Sequence, residues 1–189
     1  MSEYDADTDS APALGQVVDE ERGSLPYALV HGEPLVRAAS WALDEAGVTP
    51  VDVGTPWDSV RQSGEAFVLH DALCPLTPPT FLVECIARAQ ADDVVVVGVR
   101  PVTDTVKESD EGVVRGTVDR DRLAAVASPV VLPPSVVEQL TAWPSLDLAA
   151  LVTRLREEHE VVLLEAPPEG RRVASEDDVR LLESLTSPR

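Results

Sequence analysis

The stretch FVLHDALCPL (67–76), followed after one helix-length spacer by VVVVGVR (94–100), decides the fold of this chain. The second run holds five valines around one glycine and shows no alternation of apolar and polar side chains. Such a run predicts a strand buried on both faces, as in a parallel sheet covered by helices. The spacer predicts a helix at 79–89, because apolar residues recur there at helical spacing, at Leu82, Cys85, Ile86 and Ala89.

The same alternation of strands and helices continues on both sides of this unit. Further strands are predicted at 14–19, 48–53, 130–132 and 161–165, and further helices at 34–46, 135–140, 148–157 and from Ser175 onward. Ser175 and Asp178 have the spacing of a capping box, and the last helix is expected to turn Leu181, Leu182 and Leu185 inward. This order of elements predicts an α/β fold with a doubly wound, mostly parallel sheet and right-handed crossovers.

A chain of 189 residues fits one domain. Residues 1–12 are acidic and small, so they are predicted to be a disordered tail, and 13–189 a single domain. Residues 101–122 read as a β-arm, in which Ser109–Gly112 form the turn between two extended segments.

Composition and charge exclude several classes of function. The formal net charge is −19, which argues against nucleic acid or a membrane surface as a partner and favours solubility. The two cysteines, Cys74 and Cys85, show no zinc-site spacing, and Cys85 is expected to be a buried small apolar residue. No apolar run is long enough to span a membrane, and the acidic N-terminus lacks the features of a secretory signal. We expect a cytoplasmic protein.

Asp71 ends a predicted buried strand. Ligands of doubly wound sheets bind beyond the carboxyl ends of the strands, so this carboxylate is placed to accept hydrogen bonds from a polyol or to hold Mg²⁺. The alternative is a structural role, because Asp often stabilises the turn that leaves a strand. His70 is expected to be a core histidine that is hydrogen-bonded under the edge of the sheet.

Several motifs resemble those of the 2-C-methyl-D-erythritol 4-phosphate cytidylyltransferases, enzymes of the non-mevalonate isoprenoid pathway. They are HDALCP (70–75), VTDTVK (102–107), TVDR (117–120), SPV (128–130) and RRVASEDDV (171–179). The resemblance implies a Rossmann-like nucleotidyltransferase fold, CTP and a sugar phosphate as ligands, Mg²⁺ as cofactor, and a homodimer formed through the arm.

The resemblance also implies roles for individual residues. Asp71 would contact the methylerythritol phosphate and serve as a catalytic and metal-binding residue. Substrate binding would fall to Thr105, Arg120, Ser128 and Arg172. Alternatives remain: Thr105 and Arg120 can simply shape the arm, and Arg172 can pair with Arg171 to neutralise the acidic last helix.

The nucleotide-binding motifs depart from the family pattern. GTPWDSV (54–60) resembles the loop for the cytosine base, with Gly54 and Ser59 as nucleotide-binding positions, although a plain turn is the alternative. The glycine-rich phosphate loop of the family is replaced by DEERGSLPY (19–27), in which Arg22 is the surviving catalytic cation and Gly23 and Ser24 would face the nucleotide. Three consecutive acids oppose a polyanion there, Tyr27 stands in place of a Lys, and Cys74 in place of a substrate-binding Arg.

Two functions follow from these motifs. The first is a non-catalytic relative, a dimeric binding or regulatory protein that keeps the scaffold and has lost the triphosphate site. The second is an active enzyme that moves CMP from CTP to 2-C-methyl-D-erythritol 4-phosphate. A milder form of the first is a protein that holds a sugar phosphate, through Asp71, Arg120 and Arg172, without a nucleotide.

Overall fold

Six strands form one sheet in the computed structural model, which describes residues 12–52, 54–101, 107–110, 113–117 and 124–187. The strands are β1 (Ala13–Val18), β4 (Val48–Pro50), β5 (Ala66–Asp71), β6 (Val95–Pro101), β9 (Ala124–Leu132) and β10 (Val161–Glu165). Their order across the sheet is β10-β6-β9-β5-β1-β4. Two short strands, β2 (Leu29–Val30) and β3 (Glu33–Pro34), pair in a separate hairpin.

Strand β1 pairs in parallel with both β4 and β5, and β10 pairs in parallel with β6. Strand β9 runs antiparallel to its neighbours β5 and β6. The predicted mostly parallel α/β sheet is therefore confirmed. The sequence predicted only residues 130–132 of β9, because only the apolar second half of this strand stands out from the surrounding residues.

Helices cover both faces of the sheet. They are α1 (Leu35–Glu45), α2 (Trp57–Arg61), α3 (Pro79–Asp92), α4 (Pro134–Gln139), α5 (Leu148–Glu158) and α6 (Glu176–Thr186). One apolar core packs α1 and α3 against the sheet, and a second packs α2, α4 and α5 against the other face. The predicted inward face of α3 is confirmed, because Leu82, Cys85, Ile86 and Ala89 are all buried.

Helix α6 belongs to a third, smaller core with β2 and the start of α1. Ser175 caps it as predicted, since its side chain accepts a hydrogen bond from the Asp178 N–H. The predicted inward leucine face is wrong in part: Leu182 is buried, but Leu181 is 45% and Leu185 64% exposed. The helix packs on a narrow strip of Val179 and Leu182, so the flanking leucines stay outside.

The close approach of β6 and β9 requires a glycine at position 98. A Cβ atom there would lie 2.3 Å from the Ser128 backbone oxygen and 3.0 Å from Pro129 N. The β5–β9 register reaches Leu69↔Val130, directly beside Pro129, which has no N–H to donate. Backbone packing thus fixes Ser128 next to the end of β5.

The arm is described in part. Strands β7 (Lys107–Asp110) and β8 (Val113–Thr117) form an antiparallel hairpin, which matches the predicted pair of extended segments. Thr105, Arg120 and the predicted tail up to residue 11 lie outside the described residues. Within the described ranges, none of the helices has the length and apolar character needed to cross a membrane.

Gly98→Ala is expected to lower the free energy of unfolding by about 3 kcal/mol, because the clash is with backbone that cannot rotate away. Gly170→Ala is the matched control, since its new Cβ would meet atoms no closer than 3.4 Å; we expect a change within about 1 kcal/mol. Urea unfolding of both variants measures the difference. Equal stability of Gly98→Ala and the unmutated chain would show that β6 and β9 do not approach as described.

Candidate functional site

The carboxyl ends of β1 and β5 lie side by side in the middle of the sheet, with Val18 paired to Asp71. The chain leaves β1 toward β4 on one side, whereas β5 lies on the other side of β1. Such a topological switch point is the usual ligand position in open α/β sheets. The loop after β1, the end of β5 and the segment before α6 meet here.

Asp71 is almost fully enclosed, with 2% of its surface exposed. Its Oδ1 accepts hydrogen bonds from the Leu73 N–H at 2.9 Å and from Arg22 Nε at 3.3 Å. Its Oδ2 accepts from Arg172 Nε at 3.0 Å. The carboxylate is thus a turn cap, as in the structural alternative, and also the shared partner of two guanidinium groups. Its predicted contact with a ligand stays a prediction.

Arg22 is the more firmly held of the two arginines. Besides Asp71, it donates from Nη2 to the Leu146 backbone oxygen at 2.9 Å and from Nη1 to the Glu20 backbone oxygen at 3.2 Å. Its side chain is 10% exposed. A guanidinium with an acceptor on each nitrogen is fixed in one orientation, so this residue ties the loop after β1 to both β5 and the segment before α5.

Arg172 reaches Asp71 with 38% of its side chain exposed. The alternative that it neutralises the last helix fits Arg171 instead, because the Arg171 charge helps to lower the pKa of Asp178, after the dominant backbone hydrogen bond from Ala174. Arg172 therefore pairs with Asp71, whereas Arg171 acts on Asp178 through its charge.

The three side chains border a cavity of about 350 Å³ at the surface. Its other walls are Val126 and Ala127 of β9 and the start of α5 at Asp147, Leu148 and Ala149. Asp147 caps that helix by accepting from the Ala150 N–H at 3.1 Å. The cavity offers guanidinium donors beside carboxylate acceptors, which suits a ligand that carries both an anionic group and hydroxyl groups.

His70 and Ser128 support Asp71 from below. The Asp71 N–H donates to Ser128 Oγ at 3.0 Å, and His70 Nδ1 lies 2.5 Å from the same oxygen. Both side chains are fully buried, which confirms the prediction of a core histidine. Burial lowers the pKa of His70 from 6.5 to about 4, although the Asp71 charge acts in the opposite direction. In the free protein the Ser128 hydroxyl thus points into the core, and its predicted contact with substrate stays a prediction.

The loop that replaces the phosphate cradle is tightly bent. Glu21 and Gly23 both have positive φ values, 59° and 62°. Gly23 and Ser24 are exposed, and Leu25–Tyr27 form a single 3₁₀ turn. The bend directs Arg22 inward to Asp71, so the predicted catalytic cation lies at the site, whereas Gly23 and Ser24 belong to the outer surface of the loop.

The region beside the loop, where the family resemblance places the nucleotide, is acidic. A groove of about 530 Å³ between α1 and β4 is bordered by four carboxylates and one arginine, namely Asp19, Glu20, Asp44, Asp52 and Arg37. Gly54 lines a smaller neighbouring cavity of about 240 Å³ together with Gln16, Glu20 and Trp143. Ser59 is exposed on α2, a short helix where a plain turn was the alternative.

A magnesium ion held by protein carboxylates does not fit these residues. Among the described residues, no group of three or more His, Cys, Asp or Glu side chains lies close enough together to hold a metal. Both oxygens of Asp71 already accept from guanidinium groups, and a divalent cation between two arginines would meet two like charges. The magnesium role predicted for Asp71 therefore lacks a donor set at this position.

Comparison with known proteins agrees with the motifs. The sequence model of the 2-C-methyl-D-erythritol 4-phosphate cytidylyltransferases matches residues 52–155. A protein of this name from Nocardia farcinica is 32% identical, and the alignment covers 98% of both chains. The chain belongs to the 2-C-methyl-D-erythritol 4-phosphate cytidylyltransferase family.

Solved structures of the family share the fold. The chain resembles the 4-diphosphocytidyl-2C-methyl-D-erythritol synthase of Anaerococcus prevotii with a TM-score of 0.66 at 13% identity, covering 94% of this chain and 96% of the other. It resembles the cytidylyltransferase of Thermus thermophilus with a TM-score of 0.65 at 19% identity, covering 92% and 98%.

The family likeness is uneven along the chain. The sequence model begins to match at residue 52, after the loop at 19–27. The alignment with the Nocardia relative extends over 227 residues, more than the 189 of this chain, so part of that relative has no counterpart here. The loop at 19–27 lies outside the matched range, as do the other residues before 52 and residues 156–189.

Two features of the site have no sequence motif. The Leu146 backbone oxygen that holds Arg22 comes from a segment 124 residues away. Trp143, which lines the small cavity, is held by a hydrogen bond from its Nε1 to the Thr55 oxygen and packs on Trp57 and Phe67. The sequence shows only a tryptophan followed by Pro144, which does not indicate what the ring contacts.

His70 is expected to make the protein less stable in mild acid. In the unfolded chain His70 takes up a proton near pH 6.5, but in the folded chain only near pH 4, so lowering the pH through this range favours unfolding. Between about pH 7.5 and about pH 5, protonation of His70 is expected to lower the free energy of unfolding by on the order of 2 kcal/mol.

Urea unfolding of the unmutated chain and of His70→Asn at both pH values measures this loss. Asn retains an acceptor near the Nδ1 position but cannot titrate, so the variant should be less stable at neutral pH and less sensitive to acid. Identical pH dependence of the two proteins would contradict a buried neutral histidine.

Proposed function

We propose that this family member binds a polyol phosphate in the cavity at Asp71, Arg22 and Arg172 and does not efficiently transfer CMP. The proposal combines two hypotheses from the sequence, the non-catalytic relative and the sugar-phosphate binder without a nucleotide. The main support for the proposal is the Arg22–Asp71–Arg172 cluster. It lies next to the loop at 19–27, which replaces the phosphate cradle and directs Arg22 inward to Asp71.

The sugar-phosphate half of the proposal is supported by the remaining donors of the two arginines. A guanidinium has five N–H groups, and in the described part of the chain Arg172 uses its Nε group on Asp71 and leaves both amino nitrogens for a ligand. Cys74, which stands where the family has an arginine, is buried, and burial raises the pKa of its thiol. The charges of Arg22 and Arg172 act in the opposite direction and lower this pKa. Two cations therefore lie near the position at which this chain lacks the arginine of the family.

Weak binding of the nucleotide is supported by the charges around the loop. The groove between α1 and β4 is bordered by Asp19, Glu20 and Asp52. These carboxylates lie close to the expected path of a triphosphate. Each like charge within several ångströms of a phosphate costs about 1 kcal/mol even when well hydrated. Losing a preorganised cation or donor typically lowers a rate by ~10²–10³, and this chain lacks the glycines, the Lys and the substrate Arg together.

An active cytidylyltransferase is the second candidate function. It is favoured by the position of Arg22, which keeps a guanidinium at the switch point where a departing pyrophosphate would need one. In this case Asp71 would contact the hydroxyls of the substrate, and Thr105 and Arg120 its phosphate. Mg²⁺ would arrive with the triphosphate, because the described residues offer no cluster of three or more metal-ligating side chains. A homodimer through the arm, which includes Thr105 and Arg120, belongs to both candidates as a proposal.

Thermal unfolding with added ligands distinguishes the two functions. A ligand at about 100 times its Kd stabilises the folded state by about 2.7 kcal/mol. We expect a shift with millimolar 2-C-methyl-D-erythritol 4-phosphate, no shift with millimolar CTP and Mg²⁺, and no pyrophosphate release with all three present. Pyrophosphate release at a rate typical of enzymes would overturn the non-catalytic reading, and absence of any shift with the sugar phosphate would overturn the binding site.

Arg172→Ala is expected to weaken binding of the sugar phosphate by about 10- to 100-fold, because a charge-assisted hydrogen bond contributes about 1.5–3 kcal/mol. Arg171→Ala is the matched control: it removes the same charge from the neighbouring position, which faces the last helix. Titration calorimetry gives both affinities. A similar loss in both variants would mean that net charge, and not the cavity, binds the ligand.

A further inference from the structure

The carboxylate of Asp71 occupies the place between two guanidinium groups that an anionic ligand would seek. We propose that Asp71 determines selectivity at this site: it excludes bare anions from Arg22 and Arg172 and admits phosphate esters whose hydroxyl groups can bond to it. The inference rests on the proposed function and specifies the class of ligand that the cavity accepts.

Asp71 cannot withdraw when an anion arrives. Its backbone N–H is held by Ser128 Oγ, its backbone oxygen accepts from the Cys74 N–H at 2.9 Å, and its Oδ1 accepts from the Leu73 N–H. The neighbouring Ala72 N–H is bonded to the Val18 oxygen. Because these bonds come from three different segments, the carboxylate is a fixed negative charge in the wall of the cavity.

The arginines differ in how readily they can turn to a ligand. Arg22 has an acceptor on each of its three nitrogens, whereas Arg172 is more exposed and reaches Asp71 through Nε. An incoming phosphate group therefore bonds at the mouth of the cavity to the amino groups of Arg172, which no described residue occupies. There it lies within a few ångströms of the Asp71 carboxylate.

The fixed charge acts differently on two kinds of phosphate. Inorganic phosphate bonds to Arg172 but is repelled by the Asp71 carboxylate. At the solvent-exposed mouth of the cavity this repulsion corresponds to roughly a tenfold loss of affinity. A polyol phosphate reaches Asp71 with a hydroxyl donor instead, and a hydrogen bond to a carboxylate offsets the repulsion. A built-in repulsive element of this kind produces specificity without tighter contacts.

The direction in which one substitution changes phosphate affinity distinguishes this role from that of a simple ligand contact. Asp71→Asn keeps the shape of the side chain and an oxygen that can accept from the Leu73 N–H, but it removes the charge. If Asp71 only contacts ligand, the variant weakens every phosphate ligand. If Asp71 excludes bare anions, the variant strengthens binding of inorganic phosphate.

Calorimetric titrations at constant neutral pH with inorganic phosphate and with glycerol 3-phosphate test the inference. We expect Asp71→Asn to bind inorganic phosphate about tenfold more tightly and glycerol 3-phosphate within about threefold of the unmutated chain. Unchanged or weaker binding of inorganic phosphate by a folded Asp71→Asn protein would overturn the inference.

Two further variants complete the test. Asp92→Asn removes a carboxylate that pairs with Arg88 at 2.6 Å on the far end of α3, so it controls for net charge and should leave both affinities unchanged. Asp71→Asn combined with Arg172→Ala should lose the gained affinity, which locates the phosphate. Urea unfolding of each variant verifies that it is folded.

The outcomes also separate this inference from the proposed function. If the unmutated chain binds glycerol 3-phosphate through Arg172 but Asp71→Asn does not gain affinity for inorganic phosphate, only the selectivity role is wrong. If Asp71→Asn binds inorganic phosphate more tightly while neither protein binds the polyol phosphate, the proposed function is wrong and the exclusion of bare anions holds. If neither protein binds any phosphate, both are wrong.

Discussion

The ion pairs of one buried carboxylate with two arginines hold the site of this protein together. Asp71 lies at the end of β5, Arg22 in the loop after β1, and Arg172 in the segment before α6, so three distant parts of the chain converge on one charge. Removing one partner from a buried ion pair is strongly destabilising, whereas the pair itself contributes little net stability. The cluster therefore makes the loop at 19–27 depend on Asp71 for its shape.

This dependence gives the loop a shape unlike that expected of a phosphate cradle. A phosphate cradle needs backbone N–H groups that point to the ligand and a loop that leaves room for it. Here the loop is bent by positive φ values at Glu21 and Gly23, and its arginine points to a carboxylate of the protein. The acidic side chains next to it border the groove beside β4. The chain keeps the fold of its family.

The sequence predicted the centre of the sheet well because the apolar runs of β5 and β6 reflect burial. It also placed Asp71, since the carboxyl end of a buried strand is a position that can be read from the order of elements. The outward-facing Leu181 and Leu185 could not be predicted in this way, because helical spacing shows which residues share a face but not how wide a surface covers it. The bonds from Arg22 to Asp71 and to the Leu146 oxygen depend on tertiary packing, and no local pattern indicates them.

The most direct test of the central claim is a crystal structure determined with both CTP and 2-C-methyl-D-erythritol 4-phosphate present at millimolar concentration. We predict the phosphorus of the sugar phosphate at hydrogen-bonding distance from the Arg172 amino groups, with Arg22 still bonded to Asp71 and no triphosphate against the loop. A triphosphate bound to the backbone N–H groups of Gly23 and Ser24, with Arg22 turned away from Asp71, would contradict the account.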